Sequence, residues 1–135
     1  MAQNKILDSS VIVALFNIGD SQHGKAKLMY GKFRKTRSHF ILHPLVIIES
    51  LTVLKTRVSG EVLADIEKIL FDKEIFTIPS PDFSLSEESQ LLRIFNEIKD
   101  LSLVDAILLE FTLEEGGELL TFDKRLDSEY RKNQN

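Results

Sequence analysis

The sequence predicts a three-layer α/β/α fold, with a central parallel sheet of four to five strands covered by helices on both faces. Short apolar runs alternate with longer stretches of helical periodicity. Acidic residues end or closely follow those short runs, at the sheet edge where open α/β folds keep their ligands. Size agrees: 135 residues, 43% hydrophobic and 8% aromatic, suit a single domain over residues 1–135 with a substantial core.

Taken in order, Lys5 to Asp8 reads as a buried strand, and Ser9 or Ser10 is placed to cap a helix carrying Val11, Ile12, Leu15 and Phe16. Gly19-Asp20-Ser21 breaks the pattern, and Asp20 or Ser21 is expected to cap a second helix running to about Lys35. His39 to His43, with Phe40 and Ile41, predicts the next strand. Pro44 then opens a helix through Leu54, because proline in the first turn sacrifices no hydrogen bond. Ser59-Gly60 precedes an amphipathic helix marked by Val62, Ile66, Ile69 and Leu70, and Lys73 to Ile78 predicts a third strand ended by Pro79 and Pro81. A capping box, Ser84 with Glu87, predicts a helix carrying Leu91, Leu92, Phe95 and Ile98, with Lys99-Asp100 as a joint. Ser102 opens a further helix with Val104, Ile107, Leu108 and Phe111 as its core stripe, and Gly116-Gly117 stops it. Glu118 to Phe122 is the last predicted strand, and the polar tail from Ser128 is expected to fray.

Composition removes several classes of function. No cysteine is present, so disulfides and thiolate metal sites are excluded, and the three scattered histidines do not suit zinc. His23, His39 and His43 are assigned surface or packing roles. Asp8 interrupts the only early apolar stretch, which argues against a secretory signal, and no run reaches membrane-spanning length; a cytoplasmic protein is expected. The net charge of −4 hides an asymmetry: from Ser21 to Ile48 there is no acid, while Lys25, Lys27, Lys32, Arg34, Lys35 and Arg37 alternate with Tyr30 and Phe33. Such a segment suits phosphate binding, although a basic run taken alone more often marks a solvated helix face.

Four acids stand out: Asp8, Glu49, Asp105 and Asp123. Asp8 and Asp123 close strand-like runs, and Glu49, one turn into the helix after the second strand, returns to the same edge. Two carboxylates about 4 Å apart repel by roughly 4 kcal/mol at an effective dielectric near 20. Four together require either protonation or a cation, and hard oxygen ligands favour Mg²⁺ or Mn²⁺. Each acid also has a structural reading. Asp8 suits a helix cap, though Ser9 and Ser10 are available for that; Asp105 falls in a serine-to-acid capping pattern with Ser102; and Asp123 can begin a turn with Lys124. Glu49 lies within the apolar run Leu45, Val46, Ile47, Ile48 and Leu51, where a charge needs a partner. Ser10 and Thr121 are candidates to orient a carboxylate or a water through their hydroxyls.

Four segments, Ile6-Leu7-Asp8-Ser9-Ser10, Pro44-Leu45-Val46-Ile47-Ile48-Glu49, Leu101-Ser102-Leu103-Val104-Asp105-Ala106 and Leu120-Thr121-Phe122-Asp123-Lys124, give the chain a nearly end-to-end resemblance to the PIN-domain nucleases, especially VapC-type toxins of toxin–antitoxin systems. The resemblance implies that Asp8, Glu49, Asp105 and Asp123 are the catalytic metal ligands. It also places Asp105 beside the others, which strand counting leaves open. An RNA substrate, a cognate antitoxin and a homodimer are implied with it. One departure is that the family usually continues past the last acid into a short strand, whereas Leu126 to Asn135 offers no apolar run. The readings that compete are a noncatalytic RNA-binding or protein-interaction domain and a non-toxin RNA-processing nuclease. A phosphoacceptor receiver domain normally needs an early acidic pair, and a haloacid-dehalogenase phosphatase needs an aspartate where Ser10 stands.

Overall fold

The structure is a computed structural model that describes residues 3–80, 95–98 and 100–134. Pro81 and the Ser84–Glu87 capping box, with Leu91, Leu92 and Lys99, lie outside the described residues. Among the described residues four strands form one sheet, β1 (Asn4–Leu7), β2 (His39–Ile41), β3 (Phe76–Thr77) and β4 (Glu118–Leu120), in the order β3-β2-β1-β4. All pairings are parallel: Ile6 faces Ile41 on one side and Leu119 on the other. Strands β2, β3 and β4 are shorter than the predicted runs, while β1 keeps the predicted length and lies one residue earlier. Their ends release Leu42, His43 and Thr121 to start the connections that build the site.

Among the described residues these strands are joined by the helices α1 (Ser9–Phe16), α2 (His23–Lys35), α3 (Pro44–Leu54), α4 (Gly60–Leu70), α5 (Leu103–Glu115) and α6 (Lys124–Asn133). They flank the sheet in an α/β/α arrangement, α1 packing on α2 and α3, and α5 on α6. Burial on both faces explains the apolar strands, since Ile6, Leu7, Ile41, Leu119 and Leu120 all belong to the core with Ile12, Val46 and Leu108. Among the described residues no helix is long and apolar enough to cross a membrane.

Capping explains where several helices begin and end. Ser59 Oγ accepts from Val62 N, Ser102 Oγ accepts from Asp105 N, and Gly116 adopts φ 67° to end α5. His43 opens α3, its Nδ1 accepting from Leu45 N, and burial lowers its pKa to about 4 so that it stays neutral. Two expected caps are not made. Asp8, not a serine, occupies the cap position of α1 and makes no side-chain cap bond, because the Ser9 and Ser10 hydroxyls turn to carboxylates instead. Helix α2 starts only at His23, and Asp20 Oδ1 accepts from Gln22 N to shape the preceding turn.

The tail does not fray from Ser128. Asp123 caps α6 by accepting from Arg125 N and Leu126 N, and the i, i+4 pair Leu126 and Tyr130 buries one face completely enough to hold a helix of otherwise polar composition. Tyr130 Oη donates to Gly117 O at 3.0 Å, tying the tail to the start of β4. Buried Glu129 is matched by Arg125 at 3.2 Å and Lys132 at 3.4 Å. Gly117 itself has no room for a side chain, since a Cβ there would lie 2.6 Å from Ile6 Cδ1 and 2.9 Å from Asn4 O. A Gly117→Ala variant is therefore expected to lose about 1–3 kcal/mol in urea denaturation, as strand β1 must shift to admit the methyl group.

Candidate metal centre

The carboxyl edge of the sheet opens into a cavity of about 580 Å³ whose lining includes Asp8, Glu49, Asp105 and Asp123. Parallel pairing delivers the first and last of these together, for Leu7 lies opposite Leu120 and the Asp8 N–H donates to Leu120 O at 2.9 Å. Helix α3 returns Glu49 one turn after leaving β2, and α5 points its first turn, with Asp105, into the same space.

Asp8 is only 5% exposed and is held by two hydroxyls: Ser10 Oγ donates to Oδ2 at 2.9 Å and Thr121 Oγ1 donates to the same oxygen at 2.7 Å. Each hydroxyl also accepts a backbone N–H, from Phe122 to Ser10 and from Asp123 to Thr121, both at 3.0 Å. Both hydroxyl protons are thus committed to Asp8, and the 3.3 Å approach of Ser10 to Thr121 is proximity only. Ser9 Oγ donates to Glu49 Oε1. Asp123 is exposed, and its cap on α6 engages Oδ1.

Burial, followed by the charge of Asp8, raises the Asp105 carboxyl from its usual 3.8 to about 6; the Ser102 hydrogen bond opposes this, and Asp123 and Glu49 add to it. All four acids therefore share one field. Among the described residues no group of three or more His, Asp or Glu side chains stands ready-made to hold a metal ion. The donor set around the cavity is nevertheless the all-oxygen one that a hard divalent cation takes.

The PIN domain family model matches residues 5–132. The chain belongs to the PIN domain family. Two solved structures share its fold: Mycobacterium tuberculosis VapC20, described as a sarcin-ricin loop cleaving toxin, and PAE2754 from Pyrobaculum aerophilum. The first is 20% identical with a TM-score of 0.75 over 93% of this chain and 94% of its own. The second is 22% identical with a TM-score of 0.60 over 93% of this chain and 84% of its own. Among curated proteins, no sequence matches the chain.

Around this PIN-domain cavity the predicted basic residues are not gathered. Lys25, Lys27, Lys32, Arg34, Lys35 and Arg37 are all exposed along α2 and the turn after it, and none of them lines the acidic cavity. Lys25 and Lys32 line a neighbouring one, Lys27 a third, and Arg34 donates to Tyr30 Oη. Among the described residues, the cation that does line the acidic cavity is Arg57, which the sequence reading passed over. Its signal was the i, i+4 series Glu49, Val53, Arg57, one face of α3 carried into the following turn. Ser9 was missed as a partner of Glu49 because it was read as a cap.

The raised Asp105 pKa makes the stability of the fold depend on pH. Between about pH 4 and 6 the folded, metal-free PIN domain keeps a proton that the unfolded chain has released, so stability falls as pH rises through that window. Asp105→Asn removes the penalty while leaving the Ser102 cap intact, because that cap uses the backbone N–H. Thermal denaturation in chelator is expected to show the variant about 1 kcal/mol more stable at pH 7, after discounting for solvent screening, and equal to the parent near pH 4.

Proposed function

We propose that this PIN domain, taken as one domain over residues 1–135, is a Mg²⁺- or Mn²⁺-dependent endoribonuclease that hydrolyses RNA phosphodiester bonds, and the toxin of a toxin–antitoxin pair. The observation that carries the reading is the meeting of Asp8, Glu49, Asp105 and Asp123 at one cavity on the sheet's carboxyl edge. Support comes from the family match and from a fold shared with a toxin described as cleaving the sarcin-ricin loop. A cytoplasmic location, a homodimer and a small antitoxin covering the acidic cavity complete the reading.

In this scheme Asp8, Glu49, Asp105 and Asp123 hold the cation. A divalent ion bound there supplies Lewis acidity, lowering the pKa of water toward hydroxide and offsetting charge on the phosphoryl oxygens. The chain's own groups do the positioning. Ser10 and Thr121 fix the Asp8 carboxylate through Oδ2, Ser9 fixes Glu49, and Asp105, entering with a pKa near 6, releases its proton readily at neutral pH. Arg57 lies where it can meet a phosphate oxygen, and the lysines and arginines from Lys25 to Arg37 attract the strand without selecting its sequence.

The test is cleavage of single-stranded oligoribonucleotides by the purified protein in chelator and with Mn²⁺ or Mg²⁺ restored. Ion-dependent cutting is expected. Tight RNA binding with no cutting under either ion would favour the noncatalytic domain instead. Growth arrest on expression, relieved by a small protein encoded beside the gene, separates a toxin from a processing nuclease.

A further inference from the structure

Phe122 borders two cavities at once: the acidic one, and a second of about 490 Å³ lined by Lys25, Lys32, Phe33 and Arg131. Its ring is half-buried, and the Lys25 ammonium stands 5.6 Å from the ring centroid. Its backbone N–H donates to Ser10 Oγ, the same hydroxyl that holds Asp8, so the backbone that carries the ring is tied to the acidic site. The two acids of the second cavity are already matched, Glu118 by buried Lys5 and Asp127 by Arg131 at 3.0 Å. Lys25 and Lys32 make no ion pair among the described residues, and Lys32 lies 5.5 Å from the Phe33 ring. This leaves excess positive charge and aromatic surface directly beside a negatively charged cavity.

Aromatic rings interleaved with unpaired lysines suit a single strand of nucleic acid, whose bases stack on the rings while its phosphates meet the ammonium groups. A base already stacked within a duplex has no free face to offer. We infer that Phe122 is the platform on which an unpaired base next to the scissile phosphate stacks, with Lys25 and Lys32 holding the phosphates of the strand beyond it. The inference rests on the ribonuclease reading for its orientation, since it places the cut at the acidic cavity and the flanking nucleotides over the basic one. It assigns the substrate contact of the long basic segment to two of its six cations. Lys27, Arg34, Lys35 and Arg37 are left as solvated charges.

The test is binding of a labelled single-stranded oligoribonucleotide in chelator, followed by fluorescence anisotropy, with cleavage in Mn²⁺ read in parallel. Phe122→Ala is expected to weaken binding about tenfold or more, and Phe122→Trp to restore it. Against an abasic strand of the same length, parent and Phe122→Ala should bind equally. Lys25→Ala and Lys32→Ala should each make the plot of log affinity against log salt shallower by about 0.7. Because Phe122 adjoins Asp123, Mn²⁺ affinity is measured by calorimetry in the same variants and should not change. Unaltered RNA binding by Phe122→Ala overturns the inference, and so does a loss that persists with the abasic strand or that comes with an equal loss of Mn²⁺ affinity. A parent protein that fails to cut RNA, yet binds it through Phe122, would instead defeat the nuclease reading and leave the platform standing.

Discussion

Asp8→Asn is expected to fold like the parent and to lose ion-dependent RNA cleavage by more than the roughly 10–100-fold that removing an outer partner of a metal ligand costs. The substitution is nearly isosteric. The carbonyl oxygen of the introduced amide can still accept from Ser10 and Thr121, so the hydroxyl network and the backbone bond to Leu120 have no reason to break. What disappears is a buried negative charge among the acids that line the cavity. Removing it also relieves Asp105, whose carboxyl is raised in part by Asp8, so stability in chelator should hold or rise slightly. Circular dichroism and thermal melting establish the fold, and oligoribonucleotide cleavage reads the chemistry. Parent-level cleavage by a preparation free of contaminating nuclease would remove Asp8 from the mechanism.

Leu126→Ala is expected to be strongly destabilising although it lies outside the acidic cavity. Leu126 is 0% exposed and packs from α6 into the core, in a helix whose only other apolar anchor is Tyr130. Large-to-small changes at such sites cost about 2–5 kcal/mol, which for a chain of this size lowers Tm by roughly 5–15 °C. A frayed tail would instead leave Tm almost unchanged, since substitutions in mobile surface segments stay within about 0.5 kcal/mol. The same variant reports on the site, because Asp123 caps the helix that Leu126 anchors. Loosening α6 should therefore reduce activity at temperatures well below the melt.

Much of this architecture was legible because it follows from rules that act locally. Apolar runs alternating with helical periods require a parallel sheet covered on both faces, and a parallel sheet brings its strand ends to one edge. Asp8 and Asp123 follow adjacent strands β1 and β4 and so had to come close. Glu49 was conspicuous as a charge within an apolar helix. Asp105 was not reachable by counting, since two predicted helices lie between the third and fourth strands, and only the family resemblance placed it at the same edge. The lengths of β2, β3 and β4 were overestimated because β-propensity does not report where pairing stops; β3 keeps two residues and, among the described residues, pairs only with β2.

Other features depended on tertiary choices that no window of sequence displays. Ser9 and Ser10 had two uses open to them, and the carboxylates took both hydroxyls from the helix cap. The tail was too polar to look like a helix, yet two buried side chains and an aspartate cap suffice when a finished core is already present to receive them. Phe122 read as an ordinary strand residue until the strand ended at Leu120 and left its ring between two cavities. In each case the deciding partner lies far away in the chain.

Locating Mn²⁺ by its anomalous scattering in crystals of the protein would test the central claim most directly. The account predicts a peak in the cavity with carboxylate oxygens of Asp8 and at least one of Glu49, Asp105 and Asp123 about 2.0–2.3 Å away, and no such peak in Asp8→Asn. Saturating Mn²⁺ that leaves the cavity empty, or that binds only at surface carboxylates elsewhere, would contradict it.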